Sequence, residues 1–343
     1  MADMRTALFR KLFAVAVMLA PVAPAWASDD TGISETGSSD SGRVSYEALF
    51  DRHLGTQARA PRDYNASYAT PLERQIAMLA EGSQGRIGVA AIDLSTGQSI
   101  SVLGNQAFPM ASTSKIAIVA TYLEMVDQGR LSLTSEFPLR AGHYLPASEL
   151  IDLVITRSSN PATDALLAAV GGVQSVNGWA RRSGIEEFNL TRDIATLVRE
   201  DGAVDPALHI DLRDSSTPQA MVELLTGIYQ GRWLSPASRN VIISAMERCA
   251  TGTRRIPALM PENVTVAHKT GSLNNTSSDI GIITAPDGRA IVVAIYVTGQ
   301  DNRANREARI AGIARAIYDG YVQPSQVDNG RVYASADYPV AGS

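Results

Sequence analysis

The stretch Ala111-Ser112-Thr113-Ser114-Lys115 sets a hydroxyl and an amine three residues apart, just ahead of the apolar run Ile116 to Val126. On a helix that spacing is one turn on one face, roughly 4.5 Å along the axis at ~1.5 Å per residue. A serine hydroxyl is a poor nucleophile at neutral pH and needs a base beside it. A lysine becomes that base only when its pKa falls, and burial and a positive helix end both lower it. Lys115 opens a helix that is apolar on two stripes, Ile116-Val119-Leu123-Val126 and Ile118-Tyr122-Met125, so the helix is expected to be buried. A cation is disfavoured at that end by the helix dipole. Backbone N–H groups there are placed to stabilise an oxyanion, while Ser112, Thr113 and Ser114 offer N-caps. The chemistry these residues suit is attack on a carbonyl through a covalent serine ester.

Two further clusters fit that chemistry. Ser158-Ser159-Asn160 stands immediately before Pro161, at a tight junction between two helical patterns. It brings a second hydroxyl and an amide, although the same residues also make an ordinary turn that caps the next helix. Lys269-Thr270-Gly271-Ser272 ends a strand pattern. A cation and two hydroxyls suit an anionic substrate group, and the glycine permits close backbone approach. An ordinary strand-terminating turn is the alternative.

The elements that must position these clusters are legible in outline. Thr70-Pro71-Leu72-Glu73 is an N-cap, an N1 proline and an N3 glutamate, opening a helix through Ile76 and Leu79. Residues 87–104 read as two strands around Ser95-Thr96-Gly97. Pro146, Pro161, Pro218 and Pro236 each start a helix. Strands return at 264–271 and in a hairpin turning at Pro286-Asp287-Gly288, and a last helix covers 305–321. This order predicts an α/β (α+β) fold: one antiparallel sheet built from both ends of the chain, flanked by the terminal helices, plus an all-helical region. The expected boundaries are a signal segment at 1–27, a flexible linker at 28–45, an α/β region at 46–107 and 255–322, a helical region at 108–254, and a C-terminal tail at 323–343.

The three clusters in this order resemble the S-x-x-K, S-x-N and K-T-G motifs of the penicillin-recognising active-site serine enzymes. The surrounding segments VITRSSNPATDALLAAVGG, DSSTPQAM, LMPENVTVAHKTGS and DIGIITAPDGR are most similar to class A β-lactamases, over about residues 70 to 320. The resemblance implies that Ser112 attacks a lactam carbonyl, Lys115 takes or relays its proton, and Ser158 passes that proton to the departing nitrogen. It implies that Asn160 bonds the substrate amide and Lys115. Lys269, Thr270 and Ser272, around Gly271, would hold the substrate carboxylate. The backbone N–H groups of Ser112 and Ser272 would form the oxyanion hole.

One family feature is missing. Class A enzymes carry a carboxylate in an E-x-x-L-N motif on a loop between the second and third clusters, where it orients the water that hydrolyses the acyl-enzyme. The corresponding stretch runs from Phe188 to Pro218, with Thr191-Arg192 and Arg213-Asp214 resembling the two ends of that loop. Glu200 is the nearest candidate, followed by Asp193 and Asp201; the alternative is that all three are solvated loop acids. Without a positioned base, ester hydrolysis slows by the ~10²–10⁴-fold that such catalysis supplies. The function implied is therefore a β-lactamase. The alternatives are a peptidoglycan-acting or general serine hydrolase on the same fold, and a slowly deacylating β-lactam-binding protein.

Composition agrees with a globular enzyme: of 343 residues 45% are apolar and 19% charged, with a formal net charge of −5. No basic stripe appears, which argues against a nucleic-acid partner. Arg5, Arg10 and Lys11, the apolar run from Leu12 to Ala20 and Ala25-Trp26-Ala27 form a secretory signal. The chain is thus expected to act in the periplasm or outside the cell, as a monomer without a stable membrane anchor. Cys249 is the single cysteine; at an expected helix end it reads as a buried structural thiol. The four histidines lack metal-ligand spacing, so neither metal nor cofactor is expected. His268 reads as a strand histidine bonded to backbone.

Overall fold

The structure is a computed structural model that describes residues 70–322, apart from 82, 83 and 141. The expected signal segment, the linker, residues 46–69 and the C-terminal tail lie outside the described residues. Helix α1 (Pro71–Ala80) begins as its sequence predicts, with the Thr70 side chain accepting the Glu73 N–H at 3.1 Å. Strands β1 (Ile87–Asp93) and β2 (Ser99–Val102) follow. After the short β3 (Phe108–Pro109) comes a 3₁₀ turn, Ala111–Ser114, which runs directly into α2 (Lys115–Asp127). A small hairpin, β4 (Glu136–Arg140) and β5 (His143–Pro146), leads to α3 (Ala147–Thr156), α4 (Asn160–Ala169) and α5 (Val173–Arg182).

Next come β6 (Phe188–Asn189), α6 (Ile194–Arg199), β7 (Ser215–Ser216), α7 (Pro218–Tyr229) and α8 (Pro236–Glu247). A 3₁₀ turn at Ile256–Leu259 then precedes β8 (Thr265–Leu273), β9 (Thr276–Thr284), β10 (Ala290–Thr298) and α9 (Arg303–Val322). Pro146 does not occupy the first helical position as expected; it stands one residue earlier in extended backbone, as the N-cap of α3.

The main sheet is antiparallel in the order β2-β1-β10-β9-β8, so both ends of the chain contribute strands. Alternation along β10 divides the interior in two. Ile291, Val293, Ile295 and Val297 face a core shared with α1 and α9, including Ile76, Ile310 and Ile317. Val292, Ala294 and Tyr296 face the helical region and α2. Both faces of β10 are covered, which is why its sequence is apolar almost throughout. Within the second core Ile116, Ile118, Val119, Tyr122 and Leu123 have no exposure, so α2 is the buried helix its two stripes predict.

This burial fixes where Ser112 sits. The three-stranded sheet β3-β7-β6 pairs Phe108 with Ser216 and Pro109 with Ser215, and the Met110 N–H donates to Asp214 O at 2.9 Å. On the other side β8, an edge strand of the main sheet, packs against the 3₁₀ turn. A Cβ on Gly271 would lie 2.8 Å from Met110 O and 3.1 Å from Ala111 Cβ. The close approach that Gly271 permits is therefore between two segments of the protein. Ala111 itself has φ +49°, a strained value for a residue with a side chain.

Candidate active site

The fold brings the three sequence clusters together. Lys115 Nζ donates to Ser158 O at 2.7 Å and to Asn160 Oδ1 at 2.7 Å, and lies 3.3 Å from Ser158 Oγ. Lys269 Nζ donates to the same Ser158 Oγ at 3.0 Å and to Thr270 O at 2.9 Å. Neither lysine has any exposure. Burial first, and then the Lys269 cation, lower Lys115 to about 7, against a smaller opposing pull from Asp164. Burial lowers Lys269 to about 8. A neutral amine has two N–H groups and one lone pair. At Lys115 the two short bonds use both hydrogens, which leaves the lone pair to accept a proton.

Ser112 is placed less tightly. It is partly exposed, and among the described residues no hydrogen bond ends on its Oγ. The expected capping does not occur. Thr113 Oγ1 donates back to Met110 O at 2.7 Å and Ser114 Oγ to Ala111 O at 2.8 Å, and α2 has no side-chain N-cap. The 3₁₀ turn carries straight into the helix, so the hydroxyls find acceptors behind them. Ser112 Oγ is the one hydroxyl of the three left facing outward.

Ser158 has φ +57°, a left-handed backbone that turns its carbonyl and its hydroxyl toward the two amines. Ser159 caps α4 by accepting the Ala162 N–H at 3.4 Å. The capping and chemical readings of this cluster thus hold together, on different residues. Ser272 Oγ accepts from Arg255 Nη2 at 2.6 Å, and Thr270 Oγ1 lies 2.6 Å from Thr251 Oγ1.

Arg255 joins the site without belonging to any of the three sequence clusters. It is 1% exposed, donates from Nη1 to Gly271 O and Ser278 O at 2.8 and 2.7 Å, and pairs with Glu307 at 3.2 Å. It adds a guanidinium to the strand end that already carries Lys269. Nothing in its local sequence announces this, because its partners lie 16 to 52 residues away.

The three loop acids take other places. Glu200 is 42% exposed and pairs with Arg192 at 2.7 Å. It lines a small cavity with Leu197, Asp214 and Leu273, apart from Ser112, Lys115 and Ser158. Asp193 caps α6, accepting the Thr196 N–H at 2.7 Å. Asp201 accepts the Asn274 N–H at 2.9 and 3.0 Å. Glu200, the nearest candidate acid by sequence, is thus engaged in an ion pair that braces the loop. The loop ends do meet, with Arg192 Nε 2.6 Å from Asp214 and the Thr191 and Arg192 N–H groups donating to Asp214 Oδ1 at 2.7 and 3.1 Å.

What faces α4 instead is Ile194. Asp164 accepts the Ile194 and Ala195 N–H groups at 2.8 and 3.0 Å, and Ile194 is 2% exposed. Ile194-Ala195-Thr196-Leu197-Val198 keeps the spacing of E-x-x-L-N, with isoleucine in the place of the acid and valine in that of the asparagine. Asp164 is half-buried, and burial raises its pKa against those two N–H groups. It is the carboxylate whose charge Lys115 feels. Among the described residues no group of three or more His, Cys, Asp or Glu side chains is arranged to hold a metal ion.

Comparison with known proteins places this geometry among relatives. The model of the β-lactamase enzyme family matches residues 71–321. β-Lactamase CTX-M-25 of Escherichia coli is 31% identical over 270 residues, covering 74% of this chain and 90% of its own. The extended-spectrum β-lactamase PER-1 of Pseudomonas aeruginosa is 26% identical over 282 residues, covering 74% and 89%. Among solved structures, an ancestral class A β-lactamase (GNCA) is 33% identical with a TM-score of 0.68, over 73% of this chain and 99% of that one. A β-lactamase from Chitinophaga pinensis DSM 2588 is 27% identical with a TM-score of 0.67, over 74% and 100%.

Proposed function

The chain belongs to the β-lactamase enzyme family, and from that premise we propose how its residues act. It is a class A-type serine hydrolase that opens β-lactam amide bonds. Ser112 Oγ attacks the lactam carbonyl and its proton passes to the Lys115 lone pair. As the C–N bond breaks, Ser158 delivers its own proton to the departing nitrogen and is reprotonated from Lys115. The products of this half-reaction are a Ser112 ester and a free N–H. Asn160 holds Lys115 and the substrate amide, Lys269, Thr270 and Ser272 hold the substrate carboxylate, and Arg255 fixes Ser272 Oγ from behind. The observation that carries this reading is Ser158 Oγ set between two buried amines, at 3.3 and 3.0 Å. A proton can travel from nucleophile to leaving group through that one oxygen.

Deacylation is the slow half. Ile194 supplies no carboxylate where the family's loop motif would carry one, and Glu200, Asp193 and Asp201 are engaged elsewhere. The acyl ester is therefore long-lived, and the protein acts as a slow β-lactamase. The first 27 residues direct export, so the protein works in the periplasm or outside the cell as a monomer, where β-lactam turnover would confer resistance.

Mixing the purified protein with a chromogenic cephalosporin, while following colour and intact mass together, tests this. A burst followed by slow sustained turnover with a Ser112 adduct is expected. Ser112→Ala abolishes both signals. Absence of colour and adduct in the wild type overturns the reading in favour of a different carbonyl substrate.

A further inference from the structure

The segment from Cys249 to Arg255 runs from the end of α8 past the strand end that carries Lys269. Cys249, expected to be enclosed, is half-buried. Thr251 Oγ1 lies 2.6 Å from Thr270 Oγ1. Gly252 has φ +71°, and a Cβ there would run into Thr270 Cγ2 and lie 3.3 Å from Arg255 Cδ. No side chain fits between this segment and the third cluster. Beyond Gly252 lies a cavity of about 430 Å³, walled by Thr253, Arg254, Arg303, Ala304 and Glu307. Its size falls in the ~300–1,000 Å³ range of small-molecule sites.

Charge sets this cavity apart. The chain has a formal net charge of −5, yet four guanidiniums line the cavity or stand directly behind it. Arg255 pairs with Glu307 at 3.2 Å, and Arg303 Nε with the same Glu307 oxygen at 2.9 Å. Arg306 bonds only neutral acceptors, Ser277 Oγ, Asn275 Oδ1 and Gly299 O, at 3.3, 3.2 and 2.9 Å. Arg254 is exposed, and among the described residues no hydrogen bond or ion pair ends on its guanidinium. Asp279 does not redress the balance. It accepts from His268 Nδ1 at 2.9 Å, so His268 is bonded to a carboxylate and not to backbone. Burial disfavours charge on that imidazole, but Asp279 outweighs it and raises the group to about 10, so the pair is neutral overall. Glu307 is thus the one carboxylate paired with these arginines. Arg306 is lowered by burial and then by the charges of Arg255 and Arg303.

The cavity adjoins the substrate site. Arg255 Nη2 donates to Ser272 Oγ at 2.6 Å, and Arg255, Glu307 and Arg303 form an unbroken row of ion pairs from that hydroxyl to the cavity wall. With Ala304 in the wall, the cavity also meets the positive end of the 20-residue helix α9.

We propose that this cavity is a second anionic subsite, in which Arg254 and Arg303 bind an acidic group that the substrate carries beyond the carboxylate held by Lys269, Thr270 and Ser272. The proposal rests on the β-lactamase reading above and narrows it to β-lactams with an acid on the substituent next to that carboxylate. A guanidinium with free N–H groups suits the paired oxygens of a carboxylate or sulfonate. No bond is made or broken there; the acid is held while Ser112 reacts.

The test compares two cephalosporins of one core, whose 3-substituents are equal in size and end in a sulfonate or an uncharged sulfonamide. The second-order rate of Ser112 adduct formation is read by intact mass at low salt. The sulfonate should react about fivefold faster, the scale of one well-placed exposed charge pair. Arg254→Gln should bring the two rates within about twofold of each other, and Arg254→Glu should invert their order by like-charge repulsion. Loss of a structural contact would not invert it, and no contact of the folded chain is removed with that guanidinium. Equal rates in the wild type, or an order that Arg254→Glu leaves unchanged, overturn the proposal.

Calorimetric titration with inorganic pyrophosphate separates the subsite from the hydrolase reading, and a substrate acid from a free anion. The wild type should bind it, and Arg254→Gln should bind it about fivefold more weakly. If neither cephalosporin forms an adduct, the hydrolase reading fails; pyrophosphate binding that depends on Arg254 then keeps the anion site, and its absence removes it. Binding that depends on Arg254 beside equal cephalosporin rates assigns the cavity to a free anion and overturns its role toward the substrate.

Discussion

Lys115 and Lys269 share one acceptor: Ser158 Oγ lies 3.3 Å from the first Nζ and 3.0 Å from the second. Two buried amines around one oxygen cannot both carry a proton cheaply, and Lys115, lowered to about 7, is the one that yields. The active-site base is thus made first by burial and then by the pairing of two motifs more than 150 residues apart in the chain.

The rate of Ser112 acylation should follow the neutral fraction of Lys115. It is expected to climb with pH through a midpoint of about 7 and then level off, read as the rate of adduct formation in rapid-quench mass spectrometry. Lys115→Ala should lower the plateau by ~10²–10⁴-fold, the range that a positioned general base supplies. A rate that is flat across neutral pH in the wild type would remove Lys115 as the base.

The same shift has a cost in stability, and its sign is fixed. Lys115 binds a proton less tightly folded than unfolded, where its pKa is ~10.4. Between those values the unfolded chain holds more protons, so this contribution to stability improves as pH rises from about 7 toward ~10.4 and is worst below that window. Lys115→Met should therefore be more stable than the wild type near and below neutral pH. The gap should narrow toward ~10, as differential scanning calorimetry across pH would show.

Asp214 and Glu200 both pair with Arg192, but not equally. Asp214 is 2% exposed and accepts two backbone N–H groups as well as the guanidinium. Removing it as Asp214→Ala strands those donors and should cost about 3–5 kcal/mol in denaturant unfolding. Glu200→Gln breaks an exposed pair and should cost less than ~1 kcal/mol. Deacylation in Glu200→Gln should stay within about twofold of the wild type, since the side chain lines a separate cavity.

Local rules carry far in this chain and fail at particular residues. The start of α1 at Thr70-Pro71, the hairpin at Asp287-Gly288 and the buried α2 follow from capping, turn chemistry and periodicity. Each depends on neighbours within a few positions. Asp164, Arg255 and Asp279 act through partners 11 to 52 residues distant, and no local pattern distinguishes them from other acids and arginines. The loop acids show the same limit in reverse. Glu200 is chemically suitable, and only the path of the backbone between Arg192 and Asp214 decides that its side chain turns to Arg192. The bond from His268 Nδ1 to Asp279, at 2.9 Å, is hidden from local sequence for a related reason, because Asp279 stands on the adjacent strand, where pairing with β8 brings it across from Thr270.

Gly271 tests the contact between β8 and the turn that carries Ser112. A methyl group there meets Ser278 Oγ, with Met110 O at 2.8 Å and Ala111 Cβ at 3.1 Å. A backbone oxygen cannot move aside as a flexible side chain can, so Gly271→Ala should lower stability by about 1–3 kcal/mol. Because the displaced atoms lie just before Ser112, the acylation rate should fall by more than stability alone explains, measured at a temperature where the variant is fully folded.

Ile194 offers the most direct test of why the ester persists. Asp164 pins its N–H at 2.8 Å on the loop that α4 faces, so a carboxylate placed there would stand on the family's spacing. Ile194→Glu combined with Asp164→Asn avoids setting two acids together, which would raise the pKa of one and leave it protonated. The double variant loses apolar burial at a position only 2% exposed, and should lose about 1–3 kcal/mol of stability. Its Ser112 acyl-enzyme should nonetheless hydrolyse ~10²-fold or more faster than the wild-type ester, within the range a general base contributes. Adduct lifetime by intact mass decides it. A lifetime unchanged in a folded double variant would mean that Ile194 does not limit deacylation, and that the water which cleaves the ester is activated from another direction, with Lys115 the first group to examine.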